Sequence, residues 1–341
     1  MYSFCNDYSE LCHEKILAAM AKANLEQNSG YSLDSHTENA IRKIKAEIGR
    51  DDCDVHILVG GTQTNAIAIS GALRPHQAAI CAHTGHINVH ETGAIESCGH
   101  KVLTVESSDG KITPEQIQSV LDFHTDEHMV MPKLVYISNS TEVGTQYSKA
   151  ELISLSEYCK AHSLYLFLDG ARLGSALTSD VNDLTMADIA SLCDMFYIGG
   201  TKNGALFGEA LVIMSDHLKD DFRYLIKQRG AMLAKGFLLG IQFEELFTDG
   251  LFYSLARHAN KSADILRKAF EKCGIEMAEE STTNQLFPIF ENSLMDELSK
   301  SFKFQLHRKI DDDHTAVRFV TSWATPFEEC ESFAERLESL V

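Results

Sequence analysis

A lysine occupies a segment that otherwise consists of small and apolar residues. In MFYIGGTKNGALFGEALVI, residues 195–213, Lys202 follows Gly199 and Gly200 and precedes Gly204, with a strand-like apolar run on each side. Burial in such surroundings lowers the pKa of a lysine and favours the neutral amine, which can condense with a carbonyl group. A lysine that reaches solvent from a hairpin is the ordinary alternative, and this segment alone leaves both interpretations open.

The segment GGTQTN, residues 60–65, is a second place where chemistry could occur. An apolar strand ends in its two glycines and a helix opens at Thr62, so unpaired N–H groups and the positive end of the helix dipole could bind an anion. The pattern is neither G-x-G-x-x-G nor a Walker loop, which argues against a dinucleotide. An ordinary strand-to-helix turn is an equally good interpretation of this segment by itself.

Asp169 ends the apolar strand within FLDGARLG, residues 167–174. Ligands of open α/β sheets bind at the carboxyl ends of the strands, and a buried carboxylate requires a partner. Asp169 is therefore a candidate for holding a cationic atom of a ligand. An internal ion pair with Arg172 is the structural alternative.

Three histidines and a glutamate lie close together in CAHTGHINVHETGAIE, residues 81–96; they are His83, His86, His90 and Glu91. Their spacing matches no zinc-binding motif, and the nine cysteines include no C-x-x-C, so we predict no metal site. A loop that places one imidazole over a flat ligand explains the segment more simply. A polar loop with satisfied histidines remains the alternative for His83 and His90.

Taken together, these residue types match the needs of one cofactor, pyridoxal 5′-phosphate. Its phosphate would bind at the helix start that follows Gly61, and Asp169 would keep its pyridine nitrogen protonated. Lys202 would form a Schiff base with its aldehyde. The sequence therefore predicts that these groups meet at one edge of a sheet.

The elements that must position these residues alternate between strand and helix. Apolar strand-like runs such as DVHILVGG, LVYISNS and LYLFLDG are separated by amphipathic helical segments, one with a Thr113 cap and one with a Ser148–Glu151 capping box. This pattern predicts an α/β fold, with a mostly parallel sheet covered by helices in residues 1–240. Residues 241–341 are predicted to form a smaller α+β domain, whose last helix begins at a box opened by Thr325.

Composition excludes several classes of partner. The chain has 341 residues, of which 44% are hydrophobic, and 49 acidic against 30 basic residues give a net charge of −19. Such a charge argues against nucleic acid, and no apolar run approaches the length of a membrane span. The absence of a recognisable signal peptide and the scattered cysteines favour a cytoplasmic protein.

The order GTQTN, GHINVHETGA, LDGARL and GGTKNG resembles the threonine aldolase and β-eliminating lyase family of fold-type I pyridoxal-phosphate enzymes. The resemblance extends from NDYSE near the start to VRFVTSW near the end, and LDGAR with a downstream lysine is its most specific part. It implies a catalytic role for Lys202, His86 and Asp169. The cofactor-binding residues that it implies are Gly61, Thr62, Gln63, His86, Asp169, Arg172, Thr201 and Lys202.

The same resemblance implies a site for an amino-acid substrate. Arg318 would hold the substrate α-carboxylate, Arg172 would lie near both cofactor and carboxylate, and Asn6 would lie near the substrate. The expected reaction is cleavage of an L-β-hydroxy-α-amino acid to glycine and an aldehyde. Another amino-acid reaction of the same cofactor (β-elimination, transamination or racemisation) and a non-catalytic relative are the alternatives.

The sequence also departs from the family pattern. Where many threonine aldolases have Glu-Asn-Thr-His, this chain has SNSTEVGT, with Glu142 and no histidine, so His86, His90, Glu142 and a bound water all remain candidates for the base.

The family implies a homodimer or homotetramer with the site at the subunit boundary. A phosphate contact from the neighbouring subunit could fall to Arg229 or Lys235.

Overall fold

The computed structural model describes all 341 residues, and its elements follow the predicted alternation. The strands are β1 Tyr2–Ser3, β2 Asp54–Leu58, β3 Gln77–Ala82, β4 Val102–Val105, β5 Met131–Ser138, β6 Tyr165–Asp169, β7 Met195–Gly199, β8 Glu209–Ile213, β9 Gln285–Leu286, β10 Ile289–Glu291, β11 Phe302–Lys303, β12 Gln305–Lys309 and β13 His314–Val320. The helices are α1 Glu14–Lys22, α2 Ser35–Ile48, α3 Gly61–Ala72, α4 His86–Val89, α5 Ala94–Ser97, α6 Pro114–Phe123, α7 Lys149–Ala161, α8 Leu173–Leu177, α9 Met186–Leu192, α10 Phe222–Gln228, α11 Phe237–Leu246, α12 Leu251–Lys272, α13 Asn292–Ser299 and α14 Phe327–Glu338.

The central sheet has seven strands in the order β2-β8-β7-β6-β5-β3-β4. Strands β3 to β7 pair with parallel neighbours, whereas β8 runs antiparallel to both β2 and β7. The α/β fold with a mostly parallel sheet is thereby confirmed. None of the helices is long and apolar enough to span a membrane.

Each central strand is apolar on both faces, because helices cover both sides of the sheet. In β6, Leu166 and Leu168 pack into one hydrophobic cluster while Phe167 packs into the other, which also contains residues 67–69 of α3. Side chains alternate along a strand, so Asp169 follows Phe167 onto the α3 side. The same alternation in β8 places Glu209 on that side too.

Two of the three helix starts for which the sequence predicts a cap have the expected cap. Thr113 caps α6 as predicted, within a capping box completed by Gln116, and Ser148 forms the predicted capping box with Glu151 at the start of α7. The box predicted at Thr325 is wrong: Pro326 occupies the cap position of α14, and the hydroxyl of Thr325 accepts a hydrogen bond from the Ser322 N–H instead. A preceding turn therefore uses the hydroxyl that the sequence pattern assigned to the helix.

The last hundred residues form a second sheet, in which β13 pairs with β9, β10 and β12, covered by α12 and α14. The start of the chain joins this part, since β1 pairs with β11 and the Phe4 ring packs against Phe319 and Phe333. The division of the chain at residue 240 stays a prediction.

Glycines allow β6 and β7 to approach each other where the LDGAR and IGGTK motifs begin. A Cβ on Gly170 would overlap the backbone carbonyl oxygen of Tyr197, and one on Gly199 would overlap that of Ala171. Only glycine fits at these positions, because the opposing atoms belong to the backbone and cannot rotate away. The two motifs are thereby held side by side.

Candidate active site

A cavity of about 940 Å³ opens at the carboxyl ends of the parallel strands. The residues of separate sequence motifs line it together: Gly61, Thr62, His86, Asp169, Arg172, Thr201, Lys202 and Arg318. The structure thus brings together most of the residues that the sequence singled out. Among the residues implied for the cofactor and the substrate, Gln63 and Asn6 do not line this cavity.

Asp169 is the most extensively hydrogen-bonded side chain of the cavity. The hydroxyl groups of Tyr136 and Tyr197 each donate to one of its carboxylate oxygens at 2.5 Å, and the side chain of Asn65 and the N–H of Ala171 donate at 3.2 and 3.0 Å. The alternative interpretation, in which Asp169 forms an ion pair with Arg172, is therefore wrong. With donors alone around it, the carboxylate can accept a further bond from a protonated ring nitrogen.

The imidazole of His86 is connected to Asp169 through two buried side chains. Its Nδ1 lies 2.8 Å from Oε1 of Glu91, and the same Glu91 oxygen accepts a hydrogen bond of 2.7 Å from Asn65, which also donates to Asp169. This series of hydrogen bonds fixes the ring plane of His86 and leaves its Nε2 without a protein partner. A ring held in this way can act as a flat contact surface for a ligand.

The start of α3 has the features of an anion site. The backbone N–H groups of Gly61, Thr62 and Gln63 make no hydrogen bond within the protein, since a helix has no acceptors for its first amides. Gln63 contributes an amide here although its side chain turns back to accept a bond from Val59 N–H. Partial positive charge at this helix end favours a phosphate group.

Two further polar atoms of the cavity also lack partners. The hydroxyl groups of Thr84 and Ser140 line the cavity and are buried without any hydrogen bond. Leaving a buried hydroxyl unpaired costs about 1–3 kcal/mol, so such atoms point to a polar ligand that completes them.

Lys202 lies in this cavity with no carboxylate within ion-pair distance. Burial, followed by the positive charge of Arg172, lowers the pKa of Lys202. The neutral amine is the nucleophilic form of lysine, so the surroundings favour attack on a carbonyl carbon. The sheet thus produces the chemical condition that the sequence context suggested.

The two arginines of the cavity differ in their partners. Arg172 makes a two-pronged ion pair with Asp7, at 2.7 and 3.0 Å, and Asp7 is also held by Asn284. Arg318 contacts only neutral amide oxygens, those of Gln285 and Gln305. Burial and the charge of Arg172 lower the pKa of Arg318 to about 10, so it remains a cation without an anion at neutral pH.

The N-terminal segment contributes residues to the site that the sequence did not indicate. The side chain of Asn6 accepts bonds from Tyr8 N–H and the Ser9 hydroxyl, and so it shapes a turn. Its neighbours face the site instead: Asp7 holds Arg172, and Tyr8 lines the cavity. A role for Asn6 next to the substrate stays a prediction.

Several residues of the site were not found by sequence reasoning; they are Asp7, Asn65, Tyr136, Tyr197, Glu209, Gln285 and Gln305. For some of them a signal existed. A tyrosine in the buried part of each of the two strands beside β6, Tyr136 in β5 and Tyr197 in β7, indicates that both hydroxyl groups have a buried partner. For Gln285 and Gln305 the sequence carried no such signal.

Comparisons with known proteins agree with this geometry. The family model described as β-eliminating lyase matches residues 9–293. A low-specificity L-threonine aldolase of a Pseudomonas species is 34% identical over 332 residues, covering 94% of this chain and 92% of that protein. The solved structure of a threonine aldolase from Leishmania major is 56% identical, with a TM-score of 0.99 over 100% of this chain and 99% of that one. An aspartate aminotransferase of Thermus thermophilus, 14% identical with a TM-score of 0.73, shares the fold alone.

The sheet topology and these neighbours define the class: the chain has the architecture of the fold-type I pyridoxal-phosphate enzymes. Within that class, it belongs to the threonine aldolase and β-eliminating lyase family, whose members depend on pyridoxal phosphate. The family resemblance stated from the sequence is confirmed, as is its carbon–carbon lyase chemistry.

The Asp7–Arg172 pair generates a prediction about stability and pH. Burial by itself raises the pKa of a carboxyl group, but the charges of Arg172 and Lys202 and two hydrogen bonds lower the pKa of Asp7 from 3.8 to about 2. A depressed pKa contributes stability that is complete above the unfolded value and is lost as the pH falls through the folded value. We expect Asp7→Asn to lower the free energy of unfolding by roughly 3–5 kcal/mol at pH 7, because it leaves Arg172 buried and unpaired.

Urea unfolding of both proteins between pH 7 and pH 2 measures this difference, which should shrink by roughly 2 kcal/mol toward pH 2. The matched control is Asp52→Asn, which removes an ion pair with Arg50 at the surface and should change stability little at any pH. A stability difference for Asp7→Asn that is independent of pH would contradict the assignment.

Proposed function

We propose that this protein cleaves L-β-hydroxy-α-amino acids of the threonine type between Cα and Cβ, releasing glycine and an aldehyde, with pyridoxal 5′-phosphate as cofactor. The observation that carries the proposal is the convergence of Lys202, Asp169 and the unpaired Arg318 with the start of α3 in one cavity. Family membership and the threonine aldolases among the relatives support the same reaction.

The residues present fit this cofactor. The unpaired amides of Gly61, Thr62 and Gln63 suit a phosphate, and the acceptor Asp169 suits a protonated pyridine nitrogen. The amine of Lys202 would attach the aldehyde, and the fixed ring of His86 would lie against the pyridine. When bound, the cofactor supplies an electron sink for the pair of electrons released at Cα.

Arg318 is the residue that we propose for the substrate carboxylate. The substrate carboxylate would supply the negative charge that the guanidinium of Arg318 lacks. Bidentate pairs between arginine and a carboxylate are stronger than hydrogen bonds to neutral amides. Arg172 lies in the same cavity with its charge already balanced by Asp7, and its Nη1 has no protein partner. It can therefore donate a hydrogen bond to the substrate without being needed to neutralise it.

Glu142 is the base that the geometry favours for the β-hydroxyl proton. Its Oε1 accepts bonds from the Ser138 hydroxyl at 2.7 Å and from the His86 N–H at 3.0 Å, and its Oε2 has no protein partner in the cavity. An anchored carboxylate with one free oxygen can take a proton there. His90 lines the same cavity but is exposed, and its imidazole makes no hydrogen bond.

The reaction is tested by incubating the purified protein and pyridoxal phosphate with L-threonine, L-allo-threonine and L-phenylserine. Glycine and the matching aldehyde should form in equal amounts. Lys202→Ala should abolish both turnover and the visible absorption band of the bound cofactor. Conversion of L-serine or L-alanine to a keto acid, without glycine, would rule out the aldolase activity in favour of the alternative reactions.

The role of Glu142 gives a pH prediction. Burial, together with the nearby charge of Asp169, raises the pKa of Glu142 above the usual range of a glutamate. A base acts in its ionised form, so kcat should fall with decreasing pH at a higher pH than an ordinary glutamate would give. Glu142→Gln should lower kcat about 10²- to 10⁴-fold while the cofactor band is retained. A Glu142→Gln enzyme with unchanged kcat would transfer the role to His86 or to water.

We also propose that the chain forms a homodimer or homotetramer in which the cavity lies at a subunit boundary. The cavity rim carries exposed apolar side chains, with Tyr8 54%, Val89 50% and Leu306 71% exposed. Arg229 and Lys235 are exposed and lie away from the cavity of their own chain, which leaves them free for a neighbouring one. Light scattering at assay concentration should give at least twice the chain mass of 37.9 kDa, and a monomer would contradict the proposal.

A further inference from the structure

Glu209 is a buried carboxyl group that the reaction described above does not use. It is 4% exposed, it lines the cavity, and no basic side chain lies within ion-pair distance. Its Oε2 accepts a bond of 3.1 Å from the Gly200 N–H, and its Oε1 lies 2.7 Å from the hydroxyl oxygen of Thr201. A buried glutamate held in this way favours its neutral form unless a positive charge balances it.

The position of Glu209 in the sheet connects two parts of the site. Its Cα lies opposite Leu58 of β2 and opposite Gly199 of β7. Strand β2 leads into the anion-binding start of α3, and β7 leads into Thr201 and Lys202. One carboxyl group therefore lies between the two elements that we assign to the phosphate and to the reactive amine.

The hydroxyl group of Thr201 has a single hydrogen, and Glu209 decides where it points. The Thr201 oxygen already accepts a bond of 3.0 Å from the Gly208 N–H. If Glu209 is ionised, Thr201 must donate its hydrogen to Oε1 and has none to offer to the cavity. If Glu209 is protonated, it donates to the second lone pair of Thr201, and the hydroxyl hydrogen can bind an anion in place of its long contact of 3.5 Å to the carbonyl oxygen of Gly208.

The charged and titratable groups around Glu209 belong to β6, to β7 and to the loop that follows β7. Lys202 on the loop after β7 favours the ionised carboxylate, whereas Asp169 on β6 opposes it, and Tyr197 on β7 is a further titratable neighbour. Burial outweighs these contributions and raises the pKa of Glu209 to about 8. A phosphate dianion at the start of α3 would add a second negative charge and would favour protonation further.

We propose that Glu209 is a proton switch for phosphate binding: it is neutral in the cofactor-loaded enzyme, donates to Thr201, and thereby turns the Thr201 hydroxyl toward the phosphate. This inference rests on the proposed cofactor site. Its consequence is that binding of the phosphate dianion takes up one proton, and that the phosphate is released more easily when the pH rises. Glu209 acts through Thr201 and is a positioning residue.

The probe is 4-deoxypyridoxine 5′-phosphate, which lacks the aldehyde and cannot react with Lys202, compared with its dephosphorylated form. Affinities are measured on the full chain, freed of cofactor, between pH 7 and pH 9.5, where the phosphate stays a dianion. The preference for the phosphorylated ligand should fall roughly tenfold per pH unit above pH 8. Calorimetry in two buffers of different ionisation enthalpy should count about one proton taken up at pH 9.

Variants show whether Glu209 or Lys202 takes up the proton that accompanies binding of the phosphorylated ligand. Glu209→Gln keeps an amide donor for Thr201 and an acceptor for Gly200, so it should bind the phosphorylated ligand tightly at every pH and take up no proton. Thr201→Ser keeps the hydroxyl group, so it should retain the pH dependence of phosphorylated-ligand binding that Thr201→Val loses. Thr201→Val should weaken binding of the phosphorylated ligand at pH 7 and leave the dephosphorylated ligand unaffected.

The outcomes distinguish the switch from the cofactor site itself. Equal pH dependence for the two ligands, or an unchanged proton uptake in Glu209→Gln, would overturn the switch while the cofactor site stands. Binding of neither ligand at pH 7 would overturn both. The calorimetric proton count on the natural protein decides the question even if a variant fails to fold.

Discussion

The carboxylate of Asp169 is the interaction on which the rest of the cavity depends. It lies at the end of a strand that is apolar on both faces, where an ionised group is costly unless donors surround it. Its four donors come from β5, β7, α3 and the turn that follows it. The relative positions of these elements are therefore tied to one side chain. The same hydrogen bonds extend through Asn65 and Glu91 to orient His86, which also lines the cavity.

The way in which positive charges are balanced distinguishes structural from ligand-binding residues. Arg172 and Arg318 line the same cavity, yet a buried carboxylate neutralises the first and only glutamine amides contact the second. A glutamate in place of Gln285 would neutralise Arg318 in the same way and would remove its affinity for an anion. The choice of an amide keeps the guanidinium oriented while its charge stays available. Arg172, in contrast, is neutralised by the carboxylate of Asp7, and this ion pair fixes the N-terminal segment to the site.

Much of the architecture could be predicted because it follows from local rules. Apolar runs on both faces predict a covered parallel sheet, and the carboxyl ends of parallel strands meet at one edge, which brings Asp169 and Lys202 together. Contacts between segments that are far apart in the sequence could not be predicted. Asp7 and Arg172 are 165 residues apart, and nothing in either segment indicates the other. The role of Asn6 next to the substrate stays a prediction, while the structure shows that Asp7 binds Arg172 and that Tyr8 lines the cavity. Thr325 shows a related failure, since a neighbouring turn competes for the hydroxyl of an apparent helix cap.

Burial moves the charged groups of this cavity toward their neutral forms. It raises the pKa of Glu142 and of Glu209, and it lowers the pKa of Lys202. Carboxyl groups whose pKa is raised and an amine whose pKa is lowered can exchange protons more easily near neutral pH. Two positive charges of the site have no anionic partner, and they lie on Arg318 and at the start of α3. A ligand with two anionic groups, a phosphate at one end of the cavity and a carboxylate at the other, would balance both, and this arrangement of charge specifies the ligand more narrowly than any single residue does.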